Sequence, residues 1–270
     1  MKLLFFPFLH YNRAELRQRL AGKTVLLTGA SYGIGEALAE ALAPTQAHLL
    51  LVARTEAKLR EVQQRVEAQG GVATVLPCNL AQRDQVQALA AQLAAWPNGI
   101  DLVVNNAGHS IRRSIFASLE RMHDFERTME LNYYAPVQLL LALIPGLVAR
   151  QGQIINISAI NVLLLPPPHW AAYQASKTAF DQWLRCVGPE LQRRGVKTSS
   201  IYLPLVRTRM ILPTKAYRHM PAMQPHQVAA LICRAIIAQR RTYTPWWILP
   251  AQLAALLLRE PWEAWLGRRR

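Results

Sequence analysis

A regular alternation along the chain narrows the fold more than any other feature. From Lys23 onward, short runs rich in Leu and β-branched residues take turns with amphipathic stretches. Thr24 to Gly29 reads as a buried strand, and Gly35 to Ala43 as a helix stopped before Pro44. Ala47 to Arg54 is a second strand, Glu56 to Gly70 a charged helix with a glycine stop, Val72 to Cys78 a third strand and Arg83 to Trp96 a helix. Ile100 to Gly108 gives a fourth strand, Phe125 to Arg150 a long helical region and Gly152 to Ser158 a fifth strand. A helix over Ala171 to Arg194 and a sixth strand over Lys197 to Pro204 complete the series. Continuous apolar strands separated by helices imply a parallel sheet covered on both faces. The expected fold class is α/β, a single doubly wound parallel sheet with helices on both faces.

No internal repeat, low-complexity segment or Gly/Ser-rich linker divides the 270 residues, and 51% apolar content is ample for one core. One domain over residues 21–245 is expected, flanked by an apolar extension (1–20) and a Trp/Arg-rich tail (246–270). The run MKLLFFPFLHYN is broken by Pro7 and lacks a small-x-small cleavage site, so it reads as neither a span nor a signal peptide. Two longer uncharged runs exist, Leu131 to Ala149 and Thr242 to Leu258. The first carries Asn132, Pro136 and Pro145 and falls where a core helix is wanted, and the second contains Pro245 and Pro250. No transmembrane helix is expected from them.

Cys78, Cys186 and Cys233 show neither CxxC spacing nor an even framework, which fits buried thiols in a reducing, cytoplasmic compartment. His109, His123, His169, His219 and His226 have no ligand spacing, so no metal is expected. The formal charge is +15, and residues 201–270 hold eleven Lys and Arg against two Glu. That end attracts anions: phosphorylated cofactors, acyl carriers or anionic lipid. No nucleic-acid-binding pattern accompanies the charge. Trp246, Trp247, Trp262 and Trp265 with Arg259, Arg268, Arg269 and Arg270 suit peripheral contact with the cytoplasmic face of a membrane, or equally the cover of a sheet edge or dimer seam.

Thr28 to Gly35, TGASYGIG, lies between the first strand and the first helix. Gly29 allows a tight turn, Gly33 lets backbone approach a pyrophosphate, and Gly35 lets helix pack on strand, with the phosphates at the helix N-terminus. Strand two ends LLLVART, with Arg54 and no acid before Glu56. An acid there would hold a ribose 2′-hydroxyl, whereas Arg accommodates a 2′-phosphate, so NADP(H) is the expected cofactor. The stretch IINISAINVLLLPPPHWAAYQASK ends in Tyr173-x-x-x-Lys177, which places a phenol and an ammonium on one helix face. A phenol needs its pKa of about 10 brought down to donate a proton near neutral pH, and a lysine charge does that.

The G-x-x-x-G-x-G spacing resembles the short-chain dehydrogenase/reductase superfamily, whose sheet is Rossmann-like. Asn105 to Gly108 (NNAG), Asn132, Tyr173 and Lys177 (YQASK), and Pro204 to Thr208 (PLVRT) match it in order. The resemblance implies Tyr173 as acid, Lys177 as its partner and ribose holder, and Asn132 as the anchor of a proton-relaying water. Cofactor contacts are implied at Gly29, Ser31, Tyr32, Gly33, Ile34, Gly35, Arg54, Asn79, Leu80, Asn106, Ala107, Gly108, Tyr173, Lys177, Pro204, Val206 and Thr208. Asn79 stands where the superfamily usually has an adenine-binding Asp, and its amide oxygen can still accept a hydrogen bond. Aligning on IINIS puts Ser158 on the first position of the usual Ser-Ser pair and Ala159 on the catalytic second, with an extra residue in the Pro166 to Pro168 loop. Either a local bulge carries Ser158 into the pocket, or Asn161 or a water polarises the substrate. Losing one such donor costs about 10²–10³ in rate.

Val103 to Tyr217, including NNAGHSIRRSI and SIYLPLVRTRMILPTKAY, is similar to the bacterial fatty acyl-CoA reductases of the short-chain type. That implies reduction of a long-chain acyl thioester by NADPH. A ketone or 3-ketoacyl reductase, or a poorly catalytic NADP-binding member, could carry the same scaffold. Arg112, Arg113, Arg207, Arg209, Lys215 and Arg218 fall in loops at the carboxyl ends of strands and could meet CoA phosphates. Met210 to Met223 resembles the superfamily's substrate-covering segment, and a homo-oligomer is implied through the helices Phe125 to Arg150 and Ala171 to Arg194.

Overall fold

The structure, a computed structural model, describes residue 6, residues 9–212, residues 214 and 217, and residues 219–268. Strands β1 (Thr24–Thr28), β2 (His48–Ala53), β3 (Val72–Pro77), β4 (Leu102–Asn105), β5 (Gln153–Ala159), β6 (Lys197–Leu203) and β7 (Thr242–Tyr243) form one sheet. Their order is β3-β2-β1-β4-β5-β6-β7 and every pairing is parallel. Parallel neighbours require crossovers, and helices supply them on both faces. These helices are α1 (Arg13–Leu20), α2 (Gly33–Leu42), α3 (Glu56–Glu67), α4 (Arg83–Ala94), α5 (Met122–Met129), α6 (Ala135–Arg150), α7 (Ala171–Arg193), α8 (Pro225–Ala238), α9 (Ile248–Leu257) and α10 (Arg259–Arg268). The alternation read from the sequence lands on these elements with ends displaced by a few residues.

Each strand serves two cores because its side chains alternate. Val25 and Leu27 of β1 pack with Leu38 and Leu42 of α2 and Ile232 and Ile236 of α8. Leu26 faces the other way, with Leu93 of α4, Leu140 and Leu143 of α6, and Phe180 and Leu184 of α7. At about 1.5–3 kcal/mol for each fully buried large aliphatic side chain, these two layers dominate the stability of the sheet. The strand order turns back between β1 and β4, which opens a crevice at their carboxyl ends.

Several elements go beyond the sequence reading. Residues 1–20 include α1, where the Asn12 side chain accepts from the N–H groups of Ala14 and Glu15 (3.0 and 3.2 Å) and Leu16 and Leu20 join the core. The N-terminal run Met1 to Phe5, with Pro7 and Phe8, lies outside the described residues. α8, opened by Pro225 after a Gln224 capping box, packs on α2, and β7 adds a seventh strand at the edge. Cys78 and Cys233 are buried, but Cys186 is exposed: α7 turns that position outward, correcting the expectation of three buried thiols.

The long helical region is interrupted. Glu130–Tyr134 winds as a π turn, closed by the Ala135 N–H donating to the Glu130 carbonyl. Pro136 is an identifiable cause, since it has no N–H to offer the Asn132 carbonyl four residues earlier. Among the described residues, Met122–Arg150 is the one helix long and apolar enough to cross a membrane by length and composition. Its Leu139, Leu140, Leu143 and Leu147 are buried in the protein core.

Candidate active site

The phosphate loop is built by backbone contact. Gly29 has φ +68°, and a Cβ on Gly35 would lie 2.1 Å from the Gly29 carbonyl oxygen. Only glycine lets the first turn of α2 rest on the loop this closely. Thr28, at the end of β1, uses its hydroxyl oxygen to accept from the N–H groups of Asn106 and Ala107 (both 3.0 Å). The Asn106 amide donates back to the carbonyls of Thr28 and Gly29 (3.0 and 3.2 Å). NNAG therefore clamps the loop after β4 to the phosphate loop. The role of Thr28 went unnoticed in the sequence, although it opens the glycine motif.

α2 begins at Tyr32 without a side-chain cap. A cavity of about 600 Å³ opens beside it, lined by Ser31, Tyr32, Gly33 and Glu36 and by Thr208, Arg209, Ile211 and Tyr217 of the segment after β6. The Gly33 N–H donates to Glu36 Oε2 at 3.2 Å, and Arg65 of α3 pairs with both Glu36 and Glu40. Ile34 packs against the core, and Thr208 stands against Gly33. Val206 bridges to Met223. Pro204 is buried at the end of β6.

Arg54 follows β2 and is exposed, while the nearest acid in sequence, Glu56, pairs with Arg60 at 2.9 Å. Asn79 follows β3, and its amide oxygen accepts from the Ala81 N–H at 3.2 Å, with Leu80 buried next to it. These groups follow β2, β3 and β1 along the carboxyl edge of the sheet, where a dinucleotide would place its ribose, adenine and phosphates. The glycine cradle and the exposed Arg54 fit such a group, and the Gly33 N–H, which here donates to Glu36, would be shared with its phosphates.

Tyr173 and Lys177 lie one turn apart at the start of α7. Lys177 is buried and its Nζ donates to the Ile157 carbonyl of β5 at 3.1 Å. A Cβ on Gly108 would lie 3.3 Å from Lys177 Nζ and 3.4 Å from Asn132 Oδ1, so loop, π turn and α7 converge on one point. Asn132 is buried, with its amide oxygen accepting from the His109 N–H and its nitrogen donating to the His109 carbonyl and Ser176 Oγ, all at 2.9 Å. Its side chain thus fixes the loop after β4, and Ser176 is a positioning group that the sequence reading did not single out.

Burial pushes the Tyr173 phenol up to about 12, with Tyr217 adding to the effect. Burial also brings Lys177 down to about 8, opposed by Asp181. The expected lowering of the phenol by the lysine does not prevail: both groups lose hydration, and Lys177 is turned to the Ile157 carbonyl.

No bulge carries Ser158 forward. β5 pairs with β6 in unbroken register from Gln153 to Ala159, so Ser158 sits opposite Tyr202 and faces α7. Its hydroxyl is buried and makes no hydrogen bond. Ala159 ends the strand where a donor would be needed. Asn161 offers its carbonyl to Gln174 Nε2 at 2.7 Å.

The described residues after β6 are tied to one another and to the phosphate loop. Arg207 donates to the carbonyls of Tyr217 and Met220, both at 2.7 Å, so its guanidinium is committed to backbone there rather than free for a carrier phosphate. Arg209 lies over the Tyr32 ring at 3.7 Å, joining cover and phosphate loop. Tyr217 stacks on Trp170 (6.0 Å), which meets Tyr173 edge-on (5.8 Å). Arg113 is likewise committed, with Arg121 and Arg127, to the buried Asp124. The Arg121 hydrogen bond, ahead of the other cations, holds that carboxyl below the usual range. Arg112 remains exposed beside the site, while Pro213, Lys215 and Arg218 lie outside the described residues. Met210, Leu212 and Met220 face solvent and Met223 is buried.

A doubly wound sheet with a glycine cradle at its switch point defines a nucleotide-binding protein of the Rossmann type. The profile of the short chain dehydrogenases matches residues 23–218, and the chain belongs to that family. It is 46% identical over 225 residues to a fatty acyl-CoA reductase of Acinetobacter baylyi, covering 83% of this chain and 76% of the relative. A fatty acyl-CoA reductase of Mycobacterium tuberculosis is 43% identical over 225 residues, with the same coverage of each chain. Among solved structures, a metagenomic short-chain oxidoreductase in complex with NADP aligns with a TM-score of 0.71 and 28% identity, over 83% of this chain and 96% of its own.

Proposed function

We propose that this protein is an NADPH-dependent reductase of lipophilic acyl thioesters, converting a fatty acyl-CoA to aldehyde and free thiol. Its similarity to the Acinetobacter and Mycobacterium enzymes carries the reading. The cradle of Gly29, Gly33 and Gly35 takes the pyrophosphate, Arg54 the 2′-phosphate, and Lys177 the nicotinamide ribose. When bound, the cofactor supplies a hydride to the thioester carbonyl. Tyr173 delivers a proton to the carbonyl oxygen, and the resulting hemithioacetal expels the thiol without a cysteine nucleophile. With Ala159 in the serine position, the carbonyl depends on Tyr173 for its main donor.

The deciding experiment follows NADPH oxidation with medium- and long-chain acyl-CoA while scoring thiol. Thiol released in step with NADPH is expected. Oxidation with a ketone or 3-ketoacyl substrate but without thiol release would transfer the protein to the carbonyl reductases. Arg54→Ala is expected to weaken NADPH binding about tenfold and leave NADH nearly unchanged, since one charge-assisted contact is lost. Equal weakening of both cofactors would remove Arg54 from the 2′-phosphate.

The tail supports a membrane role. α9 and α10 expose Leu249, Leu253, Leu256, Leu257, Trp262 and Trp265, in a chain with net charge +15. Apolar and aromatic side chains backed by arginines suit the interface of an anionic bilayer on its cytoplasmic side. The protein is expected to sediment with phosphatidylglycerol vesicles at low salt, and the Leu253→Glu, Leu256→Glu double variant to stay in solution. Wild type that stays in solution too would leave these leucines to a partner copy. The outer faces of α6 and α7 are the proposed seam of a homo-oligomer.

A further inference from the structure

Asp181 is a carboxyl where a helix facing a sheet ordinarily places an apolar residue. It lies one turn beyond Lys177 on α7 and is 1% exposed, deeper than any other acid among the described residues except Asp124, which matches it. Asp124 has arginines to hold it, whereas Asp181 has no ion pair within 4 Å among the described residues, and its Oδ1 is buried without a hydrogen-bond partner. A buried carboxyl without compensation is costly, and burial raises Asp181 above the usual carboxylate range, so nearby positive charge is what favours its anion.

The surroundings supply that charge. Tyr202 of β6 and Ser158 of β5, which are register partners, act on it without a Ser158 hydrogen bond, and Arg185 stands one further turn along α7. The other cation acting on it is Lys177, itself buried. Lys177 lies one turn from Tyr173 and from Asp181 on its own helix, donates to the Ile157 carbonyl of β5 and converges with the Asn132 amide oxygen of the π turn beside Gly108. In the loop after β4, His109 holds the Asn132 amide through its backbone, and burial keeps its imidazole toward the neutral form. Of these, Asp181 alone is an anion.

We propose that Asp181 is a positioning residue for the tyrosine–lysine pair, the counter-charge that keeps Lys177 an ammonium and holds it against the Ile157 carbonyl. Burial alone drives Lys177 toward the neutral amine. A neutral amine would neither favour the departing proton of Tyr173 nor donate fully to a ribose. The assignment rests on the reductase reading above, and it leaves Ser158 on the side of the carboxylate, opposite Tyr202, with its hydroxyl unpaired.

The test is Asp181→Asn, which preserves shape and removes charge. With a turned-over acyl-CoA, the alkaline fall in kcat should move about one pH unit lower than in wild type, the lower end of what an opposite charge one helical turn away produces. At pH 6, where Lys177 is protonated in both proteins, the two kcat values should agree within about twofold; near pH 8 they should differ by about fivefold, approaching tenfold only at higher pH. NADPH fluorescence titrations across the same pH range need no turnover and should show the same displacement in affinity. Tyr202→Phe, which removes a hydroxyl favouring the carboxylate, should shift both profiles in the same direction and by less; it serves alone if Asp181→Asn does not fold. A shifted binding profile in a protein that reduces no acyl thioester would retain the role of Asp181 and discard the proposed reaction. Profiles that merely fall in parallel, or a lowered melting temperature without a moved limb, would show the role to be structural and overturn the assignment.

Discussion

Tyr173→Phe is expected to lower turnover about 10³-fold while leaving NADPH affinity within about twofold, within the range spanned by loss of a general acid. The size of the effect follows from what the site lacks. Ala159 ends β5 without a hydroxyl and the Ser158 hydroxyl is buried against α7, so neither can share the proton or polarise the carbonyl. Packing should be preserved, because the phenyl ring keeps its edge contact with Trp170. The measurement is single-turnover NADPH oxidation at saturating acyl-CoA, paired with a fluorescence titration of the cofactor. Residual activity above about a tenth of wild type would mean that another group delivers the proton, and the Asn161 region would become the place to search.

Gly35→Ala should abolish cofactor binding, weakening NADPH by at least about 100-fold, with a folded sheet. A methyl group 2.1 Å from the Gly29 carbonyl oxygen cannot be accommodated by a rotamer change, since its neighbour is backbone. Either α2 must lift from the loop or Gly29 must move, and Gly29 is held by the Asn106 amide. A displacement near 1 Å in a positioning element typically costs about 10² in function. Circular dichroism and calorimetry on the variant separate lost binding from lost fold. Normal NADPH affinity in Gly35→Ala would mean that the phosphates do not sit at this turn.

Much of this architecture was legible because it rests on local rules. Glycine spacing, the strand–helix alternation and the Tyr173–Lys177 interval each follow from one residue type in one conformation. Elements depending on partners distant in sequence were not. α1 offers only Leu16 and Leu20 as an apolar stripe among arginines, too little periodicity to announce a helix, and it is stabilised by docking near α8. The two residues of β7 qualify as a strand only because β6 pairs with them. Arg207 reads as a surface cation but is spent on two backbone carbonyls of the cover. Asp181, an acid in a helix, reads as solvent-facing, and only the placement of β5 and β6 buries it. The register of β5 removed the bulge invoked for Ser158, a matter of pairing that no single strand declares.

The π turn at Glu130–Tyr134 has a consequence for what lengths of chain this fold tolerates. A π turn amounts to one residue inserted into an α-helix, and each residue advances the helical phase by about 100°. α5 must aim Asp124 and Thr128 inward beneath the loop after β4, while α6 must aim Leu139, Leu143 and Leu147 at the sheet. Deleting one residue between Glu130 and Tyr134 would straighten the helix and rotate one of those faces away from its partner. The inserted residue works as a phase adjuster, letting a single rod address two targets that an uninterrupted helix could not face at once.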